Sequence, residues 1–190
     1  MPTARQVYSM LGNENLWQTA TACHQVLADA DVPHTVCGGV AVCLHGYQRN
    51  TVDLDLIIHK EDSQRVRNAL EHIGLVWDPD EAEFRSPTGV AVQFLYAGDC
   101  GGTGSEVYLP LPEGSSNIQI LEGLPVLKLS KLIEIKIACG TGDVRRTHGD
   151  LADVVELIAI RNLDISFARH LHKSVRKDFR ELVRNSRGQV

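Results

Sequence analysis

The chain has 190 residues, of which 43% are hydrophobic and 23% charged, and its net charge is −5. These values are typical of one globular domain, or one domain with a small helical extension, and they exclude a disordered chain and a fibrous repeat. No apolar run approaches the ~20 residues that cross a bilayer, and the first residues lack the long apolar segment of a secretory signal. We therefore expect a cytoplasmic protein that does not contact a membrane.

The predicted elements mix helices and strands in the first two thirds of the chain and are helical in the last third. Apolar residues at helical spacing predict helices at 14–31, 41–45, 62–73, 127–139, 150–161 and 167–185. Apolar and β-branched runs predict strands at 34–37, 52–59, 84–85 and 89–97, with extended segments near 107–109 and 118–120. The glycine-rich loop at 98–105 is expected to be a mobile flap or a disordered crossing. The sequence thus predicts an α/β core at 1–126 and a helical region at 127–190 that packs on it.

The cysteines form an odd-numbered set of five in apparently buried runs: Cys23, Cys37, Cys43, Cys100 and Cys139. In a reducing compartment they would be small hydrophobic core residues. A zinc site stays open as an alternative, drawn from Cys23, His24, Cys37 and either Cys43 or His45. None of these pairs has the two-residue spacing that is usual in zinc sites.

Two aspartates interrupt the otherwise apolar run T-V-D-L-D-L-I-I. Residues i and i+2 of a strand face the same side, roughly 7 Å apart at Cα, so Asp53 and Asp55 direct their carboxylates to one region. Burying two like charges is costly unless a cation neutralises them, and carboxylate oxygens favour Mg²⁺ or Mn²⁺. The pair therefore suits metal-dependent phosphoryl or nucleotidyl transfer. The alternative is the end of a strand whose acids point into water.

The segment before this strand, C-G-G-V-A-V-C-L-H-G, adds a phosphate-binding feature. A strand, two glycines and the start of a helix bring free backbone N–H groups close to the carboxylates. The segment does not match G-x-G-x-x-G, and the loop at 98–104 lacks the G-K-[ST] of a P-loop. A dinucleotide-binding fold and a P-loop NTPase are therefore disfavoured.

Together these motifs resemble the nucleotidyltransferase superfamily with the DNA polymerase β-like fold. The resemblance begins with G-G-V-A and H-G-Y-Q-R-N-T-V-D-L-D-L-I-I. It continues in L-S-K-L-I-E-I-K-I-A-C-G and R-R-T-H-G-D-L-A-D-V-V-E-L-I, which are similar to helices of the abortive-infection branch, the AbiEii-like and minimal nucleotidyltransferases. It covers residues 34–160. It implies a mixed β-sheet flanked by helices, with a C-terminal helical segment.

The resemblance also implies roles for individual residues. Gly38 and Gly39 would hold the β- and γ-phosphates, although many relatives have Gly-Ser there. The remaining roles are metal binding by Asp53 and Asp55, nucleotide contact by Arg49 and Thr51, triphosphate pairing by Lys136 and Lys131, and ordering of Lys136, Arg145 or the acceptor by Asp150 and Asp153. For both lysines, an ordinary solvated helix surface is the alternative.

One position departs from the family pattern. The superfamily usually supplies a third acid from the strand that here reads V-A-V-Q-F-L, and this chain has Gln93 at that place. A neutral amide is a poorer metal ligand and cannot act as a general base. Asp99 or Glu83 are the candidates to replace it.

The resemblance implies an Mg²⁺- or Mn²⁺-dependent enzyme that moves a nucleoside monophosphate from an NTP to a hydroxyl or phosphate acceptor. A tRNA or protein acceptor, a toxin-like role and a cognate antitoxin belong to the same expectation. The alternative is a weak or inactive NTP-binding or interaction protein on the same fold, which the missing acid favours.

The charge is uneven along the chain. Between Arg169 and Arg187, seven basic residues stand against two acidic ones, a balance of +5, so the rest of the chain carries −10. The basic residues recur at steps of three to four, which predicts a basic face on one helix. That face could bind nucleic-acid phosphates, an acidic partner or the acidic body of a second copy in a homodimer, or it could simply be solvated.

Overall fold

Seven strands form one mixed β-sheet in the computed structural model, which describes residues 13–186 and 188. They are β1 (His34–Cys37), β2 (Asp53–Ile58), β3 (Val76–Asp78), β4 (Glu83–Arg85), β5 (Ala91–Tyr96), β6 (Ile118–Leu121) and β7 (Leu124–Leu127). Their order across the sheet is β3-β4-β5-β2-β1-β7-β6.

Strand β2 is the centre of this sheet. It pairs antiparallel with β1 and parallel with β5. Its residues alternate in burial: Leu54 and Leu56 are buried in the core, whereas Asp53 and Asp55 face the other side and are only partly covered. Because side chains in a strand alternate between faces, the D-x-D spacing brings both carboxylates to one face.

Helices cover the sheet. The described residues contain six α-helices. They are α1 (Glu14–Asp29), α2 (Gly38–Leu44), α3 (Ser63–His72), α4 (Leu129–Gly142), α5 (Val144–Ile160) and α6 (Arg176–Ser186). Short 3₁₀ segments lie at Lys60–Asp62, Ile165–His170 and Lys173–Val175. The buried apolar residues form one connected core, which includes residues from both halves of the chain, from Leu16 to Val183. The division at residue 126 stays a prediction.

The α/β fold class is confirmed, while several boundaries differ from those predicted. The helix expected from residue 127 begins at Leu129, because residues 124–127 form strand β7 beside β1. The helix expected from Asp150 begins at Val144, where the Asp143 side chain accepts a hydrogen bond from the Arg145 N–H and caps it. The short strand β3 was not predicted; it pairs only with β4 at the sheet edge.

The single basic helix predicted at 167–185 is wrong. The backbone is extended at Leu171 and His172, and this breaks the segment into two 3₁₀ turns followed by α6. Arg169 and Lys173 therefore do not share a helix with the basic residues of α6, which are Arg176, Lys177, Arg180 and Arg184. Arg187 lies outside the described residues.

The glycine-rich loop packs against α4 and is not a detached flap. A Cβ on Gly102 would collide with the carbonyl oxygen of Ala138, and the Cys139 thiol donates to the carbonyl of Gly101. The extended segment expected at 107–109 belongs to no strand of the sheet and is hydrogen-bonded to the glycine-rich loop, with an isolated bridge between Cys100 and Tyr108.

Two further expectations concern the cysteines and membranes. Cys23, Cys37 and Cys43 are buried, but Cys100 is exposed. Residues 13–186 contain no group of three or more His, Cys, Asp or Glu side chains able to hold a metal, so the zinc alternative is not formed. No helix in the same range combines the length and apolar character needed to cross a bilayer.

Candidate active site

A cleft of about 370 Å³ opens between the sheet and helices α4 and α5. The sheet contributes residues of β1, β2 and β5, and the two helices contribute charged and apolar side chains from the opposite side. Its polar lining is Gly38, Gly39, Arg49, Asp53, Asp55, Gln93, Lys136, Arg146 and Asp150. Its other lining residues are Cys37, Leu95, Leu109, Leu127, Leu132, Ile135 and Cys139.

Asp53 and Asp55 both line this cleft. Asp55 lies between Cys37 of β1 and Gln93 of β5 in the strand register. Asp53 accepts a 3.0 Å hydrogen bond from the Thr51 hydroxyl. In the part of the chain that the structure describes, no lysine or arginine forms an ion pair with either carboxylate.

Burial and a like charge both act on Asp55. Burial of its carboxylate, followed by repulsion from Asp53, raises the pKa of Asp55 to about 6, while Lys136, Arg146 and Arg49 act from a distance to lower it. The two carboxylates thus form a region of uncompensated negative charge, which a cation would neutralise.

Gly38 and Gly39 lie directly against these acids. A Cβ on Gly38 would collide with Oδ2 of Asp55, and the φ angle of Gly38 is +59°, a conformation that other residues adopt at a cost. A Cβ on Gly39 would collide with the Thr51 hydroxyl. The backbone at the start of α2 therefore approaches the carboxylates more closely than any residue with a side chain would allow.

The opposite side of the cleft carries a buried network of alternating charges. Lys136 Nζ lies 2.7 Å from Oδ1 of Asp150 and 2.7 Å from Oδ2 of Asp153. Arg49 Nε lies 2.8 Å from Asp153, and Arg146 Nε lies 3.0 Å from Asp150. Each aspartate therefore contacts two cations, so both carboxylates are neutralised by residues of this chain.

This network also fixes the charge of Lys136. Burial would lower the pKa of Lys136, but its ion pairs and hydrogen bonds with Asp150 and Asp153 outweigh burial and the pKa is raised. The ammonium group has three N–H donors, and two are used on the aspartates.

Gln93 faces the same cleft and lies beside the buried carboxylate of Glu83. Its amide Nε2 donates a 2.8 Å hydrogen bond to Glu83 Oε2, and Glu83 also pairs with Arg85. Because Glu83 can only accept from the amide, the NH₂ group of Gln93 points to Glu83. Its carbonyl oxygen is then the group left for the cleft.

The structure brings most of the predicted site residues together, with two clear exceptions. Lys131 pairs with Glu134 at 2.9 Å and lines a separate surface hollow, not the cleft. Asp99 is exposed and does not line the cleft. Thr51 touches Asp53, and Asp153 lies behind the lining, bonded to Lys136 and Arg49.

Arg146 is a charged lining residue that the sequence analysis missed. It stands in R-R-T-H-G-D, four residues before Asp150, which is the helical spacing of an ion pair. That spacing was the available signal in the sequence, whereas the family resemblance pointed to the adjacent Arg145.

The acids in the cleft fit a divalent cation of the magnesium type. Mg²⁺ in proteins is commonly held by one or two carboxylates together with substrate phosphates and water, and Asp53 and Asp55 offer two carboxylates in one cleft. The Gln93 carbonyl oxygen is a third, neutral oxygen in register with Asp55.

Comparison with solved structures agrees with this architecture. No family model and no curated protein matches the chain. A protein from H. pylori described as a candidate nucleotidyltransferase superposes with a TM-score of 0.51 at 20% identity, over 93% of this chain and 81% of that one. This chain has the nucleotidyltransferase fold. The antibiotic-resistance factor ANT(2'')-Ia superposes with a TM-score of 0.50 at 13% identity, over 90% of this chain and 94% of that one. At these identities the likeness concerns the fold, and membership of the abortive-infection branch stays a prediction.

Proposed function

We propose that this protein is a divalent-metal-dependent nucleotidyltransferase that moves a nucleoside monophosphate from an NTP to a hydroxyl or phosphate acceptor. The observation that carries the proposal is the uncompensated pair Asp53 and Asp55, which lines the cleft with the Gly38 backbone packed against Asp55. Within a fold shared with nucleotidyltransferases, this is where a triphosphate and its cation would bind.

Different residues of the cleft would bind the cation and the phosphates. Asp53 and Asp55 would hold Mg²⁺ or Mn²⁺, which would supply positive charge for the triphosphate and for the attacking and leaving oxygens. Gly38 and Gly39 let the phosphates approach the backbone, since no side chain stands in the way. The remaining N–H of Lys136 supplies positive charge from the opposite side, and Nη2 of Arg49 supplies it next to Gly39.

In the reaction, the acceptor oxygen attacks the α-phosphorus and the bond to the bridging oxygen of pyrophosphate breaks. The proton of a hydroxyl acceptor passes to water, because the Gln93 amide cannot accept it. The proposed acceptor is a tRNA or a protein. The proposed biological role is toxin-like, with an antitoxin as the binding partner.

The decisive experiment is label transfer. Purified protein is incubated with α-labelled NTPs, Mg²⁺ and either total RNA or cell lysate, and label is expected in one acceptor fraction. The D53A/D55A double variant is expected to lose transfer at least 10³-fold, since it removes the electrostatic contribution of the cation, worth several kcal/mol.

The matched control is D99A, which removes an exposed aspartate outside the cleft. It is expected to transfer like the wild type. Transfer that survives in D53A/D55A would overturn the mechanism.

A second candidate function, NTP binding without turnover, is favoured by one observation: Gln93 stands in register with Asp55 and is bonded to Glu83. Calorimetry would then detect metal-dependent NTP binding with no product. The exchange E83Q/Q93E keeps an amide–carboxylate hydrogen bond but moves the acid into the cleft. Transfer that appears or rises in this variant supports the missing acid at position 93 as the reason for absent turnover, and unchanged transfer contradicts that role of Gln93. Product formed by the wild type contradicts the second candidate itself.

A further inference from the structure

A second hollow adjoins the cleft on the far side of the charged network. It measures about 370 Å³ and is lined by Tyr47, Arg49, Arg145, Arg146, Gly149, Asp150, Ala152 and Asp153. We call it the arginine hollow. It shares Arg49, Arg146 and Asp150 with the cleft, so the two spaces meet at these side chains.

The cations around the arginine hollow retain free donors. Arg146 donates a hydrogen bond from Nε to Asp150, whereas Arg49 Nε lies 2.8 Å from Asp153 as an ion pair without hydrogen-bond geometry. The forked end of a guanidinium carries further N–H groups. Within the described residues the Arg146 fork has no other partner, so Arg146 is the main free donor at the hollow. Arg49 uses one fork nitrogen on the carbonyl of Asn50, and its other fork nitrogen lies beside Gly39 on the cleft side.

The aspartates at the hollow do not need these donors. Lys136 pairs with both Asp150 and Asp153, and each aspartate also has one arginine Nε within ion-pair distance. Together with the exposed pair of Arg145 and Asp143, the set counts four cations and three anions. A ligand anion can therefore bind the fork nitrogens without displacing a buried carboxylate.

We propose that the arginine hollow binds a phosphate group of a substrate whose reacting end lies in the cleft. Guanidinium forks match phosphate oxygens in geometry and charge, and the shared arginines connect the hollow to the place where nucleotide transfer is proposed. The phosphate has two sources, the tail of the NTP or a phosphorylated acceptor. This inference rests on the proposed function.

Gly149 gives the sharpest test. It lies in the middle of α5 and lines the hollow, and a Cβ there would meet no atom within 4 Å. A leucine at this place would add a bulky side chain at the lining of the hollow, its Cβ would clash with no neighbour, and it replaces a residue that helices disfavour. G149L is therefore expected to fold at least as stably as the wild type, which thermal unfolding checks.

The controls are matched in position and size. H148L adds the same side chain on the same helix at an exposed residue that does not line the hollow. G149A adds only one methyl group, and its effect should lie between those of the wild type and G149L. R145Q fills no space but removes a cation, so it should weaken binding and reduce its salt dependence, even if G149L does not fold.

The probes are inorganic because the nucleotide base is not identified. Magnesium tripolyphosphate is titrated into each intact variant by calorimetry. If the hollow receives the NTP tail, G149L binds tripolyphosphate at least tenfold more weakly than the wild type and H148L. If it receives the phosphate of an acceptor, tripolyphosphate affinity is unchanged, and inorganic phosphate binds to the tripolyphosphate-saturated wild type but not to saturated G149L.

The proposal is overturned if G149L and R145Q match the wild type with both probes. Failure of the proposed function is a separate result, because it is read from label transfer in D53A/D55A. Inorganic phosphate titrated into D53A/D55A tests the arginine hollow alone, since neither aspartate lines it.

Discussion

Asp53 and Asp55 border the cleft from strand β2, whereas Asp150 and Asp153 approach it from helix α5. The β2 pair has a hydrogen bond from Thr51 but no ion pair among the described residues. The α5 pair is bonded by one lysine and two arginines. Two carboxylate pairs beside one cleft are thus held in opposite electrostatic states.

This difference indicates that the α5 aspartates have a structural role, whereas the β2 aspartates are available to bind a ligand. Carboxylates that are saturated by the chain's own cations link α4, α5 and the loop before β2, and they offer nothing to a metal ion. Carboxylates left without a cation cost stability until a ligand neutralises them, as the raised pKa of Asp55 indicates. Variants that change one pair and not the other can test this comparison.

The largest expected effect is at the saturated pair. K136M leaves two buried carboxylates without their shared cation, and we expect a loss of about 3–5 kcal/mol in the free energy of unfolding, measured by urea denaturation. The triple variant K136M/D150N/D153N removes the stranded charges as well and should recover most of that loss. A small effect of K136M alone would show that the network does not hold the fold.

The next effect is at the glycine that touches the unsaturated pair. G38A introduces a Cβ that collides with Asp55 and forces a positive φ on alanine, and we expect a loss of about 2–3 kcal/mol. G123A is the control, because its φ is +84° but its Cβ would meet open space. If thermal unfolding gives equal losses for both, the close approach to Asp55 contributes nothing.

The unsaturated pair itself should respond in the opposite direction. D55N removes a buried like charge, so the metal-free protein should gain about 2 kcal/mol of unfolding free energy at pH 7. Because the folded pKa of Asp55 is raised from 3.8 to about 6, its stabilising contribution is complete below pH 3.8 and is lost as pH rises through about 6. The gain of D55N should therefore vanish near pH 4.

Magnesium provides the second measurement for D55N. The ion should raise the unfolding temperature of the wild type and leave that of D55N nearly unchanged. A wild type that is as stable as D55N at pH 7 without metal would contradict the comparison.

The smallest effect is expected at the lysine outside the cleft. K131M removes a half-exposed ion pair with Glu134, whose other oxygen still accepts the His172 backbone N–H. We expect a loss of about 0.5 kcal/mol, with NTP affinity unchanged by calorimetry. A tenfold or larger loss of NTP affinity in K131M would restore Lys131 to the predicted nucleotide site.

The sequence predicted the parts of the site that lie close together in the chain. The two-residue spacing of Asp53 and Asp55 fixes their common face, and the glycines precede that strand by one short helix. Local patterns also predicted the α/β fold class and every strand of the inner sheet except β7, whose last residue, Leu127, was predicted to begin a helix and whose residues 124–126 were assigned to no element.

What the sequence could not predict depends on packing between distant segments. The i, i+3 spacing of Asp150 and Asp153 is equally typical of a solvated helix face, and only the approach of α4 and Arg49 makes it a buried network. Lys131 and Lys136 have similar sequence contexts. They are five residues apart on one helix, so their side chains point to different sides of it. The break at Leu171 likewise depends on burial of that side chain in the core.

The order of the elements has a consequence for synthesis on the ribosome. Asp53 and Asp55 emerge about eighty residues before Lys136, and the α5 aspartates follow later still. Until helices α4 and α5 are made, the nascent chain exposes the two acids to water, with the far wall of the cleft missing. A translation product that stops before α5 therefore has no complete cleft, and competence for ligand is acquired only after helix α5 has been translated.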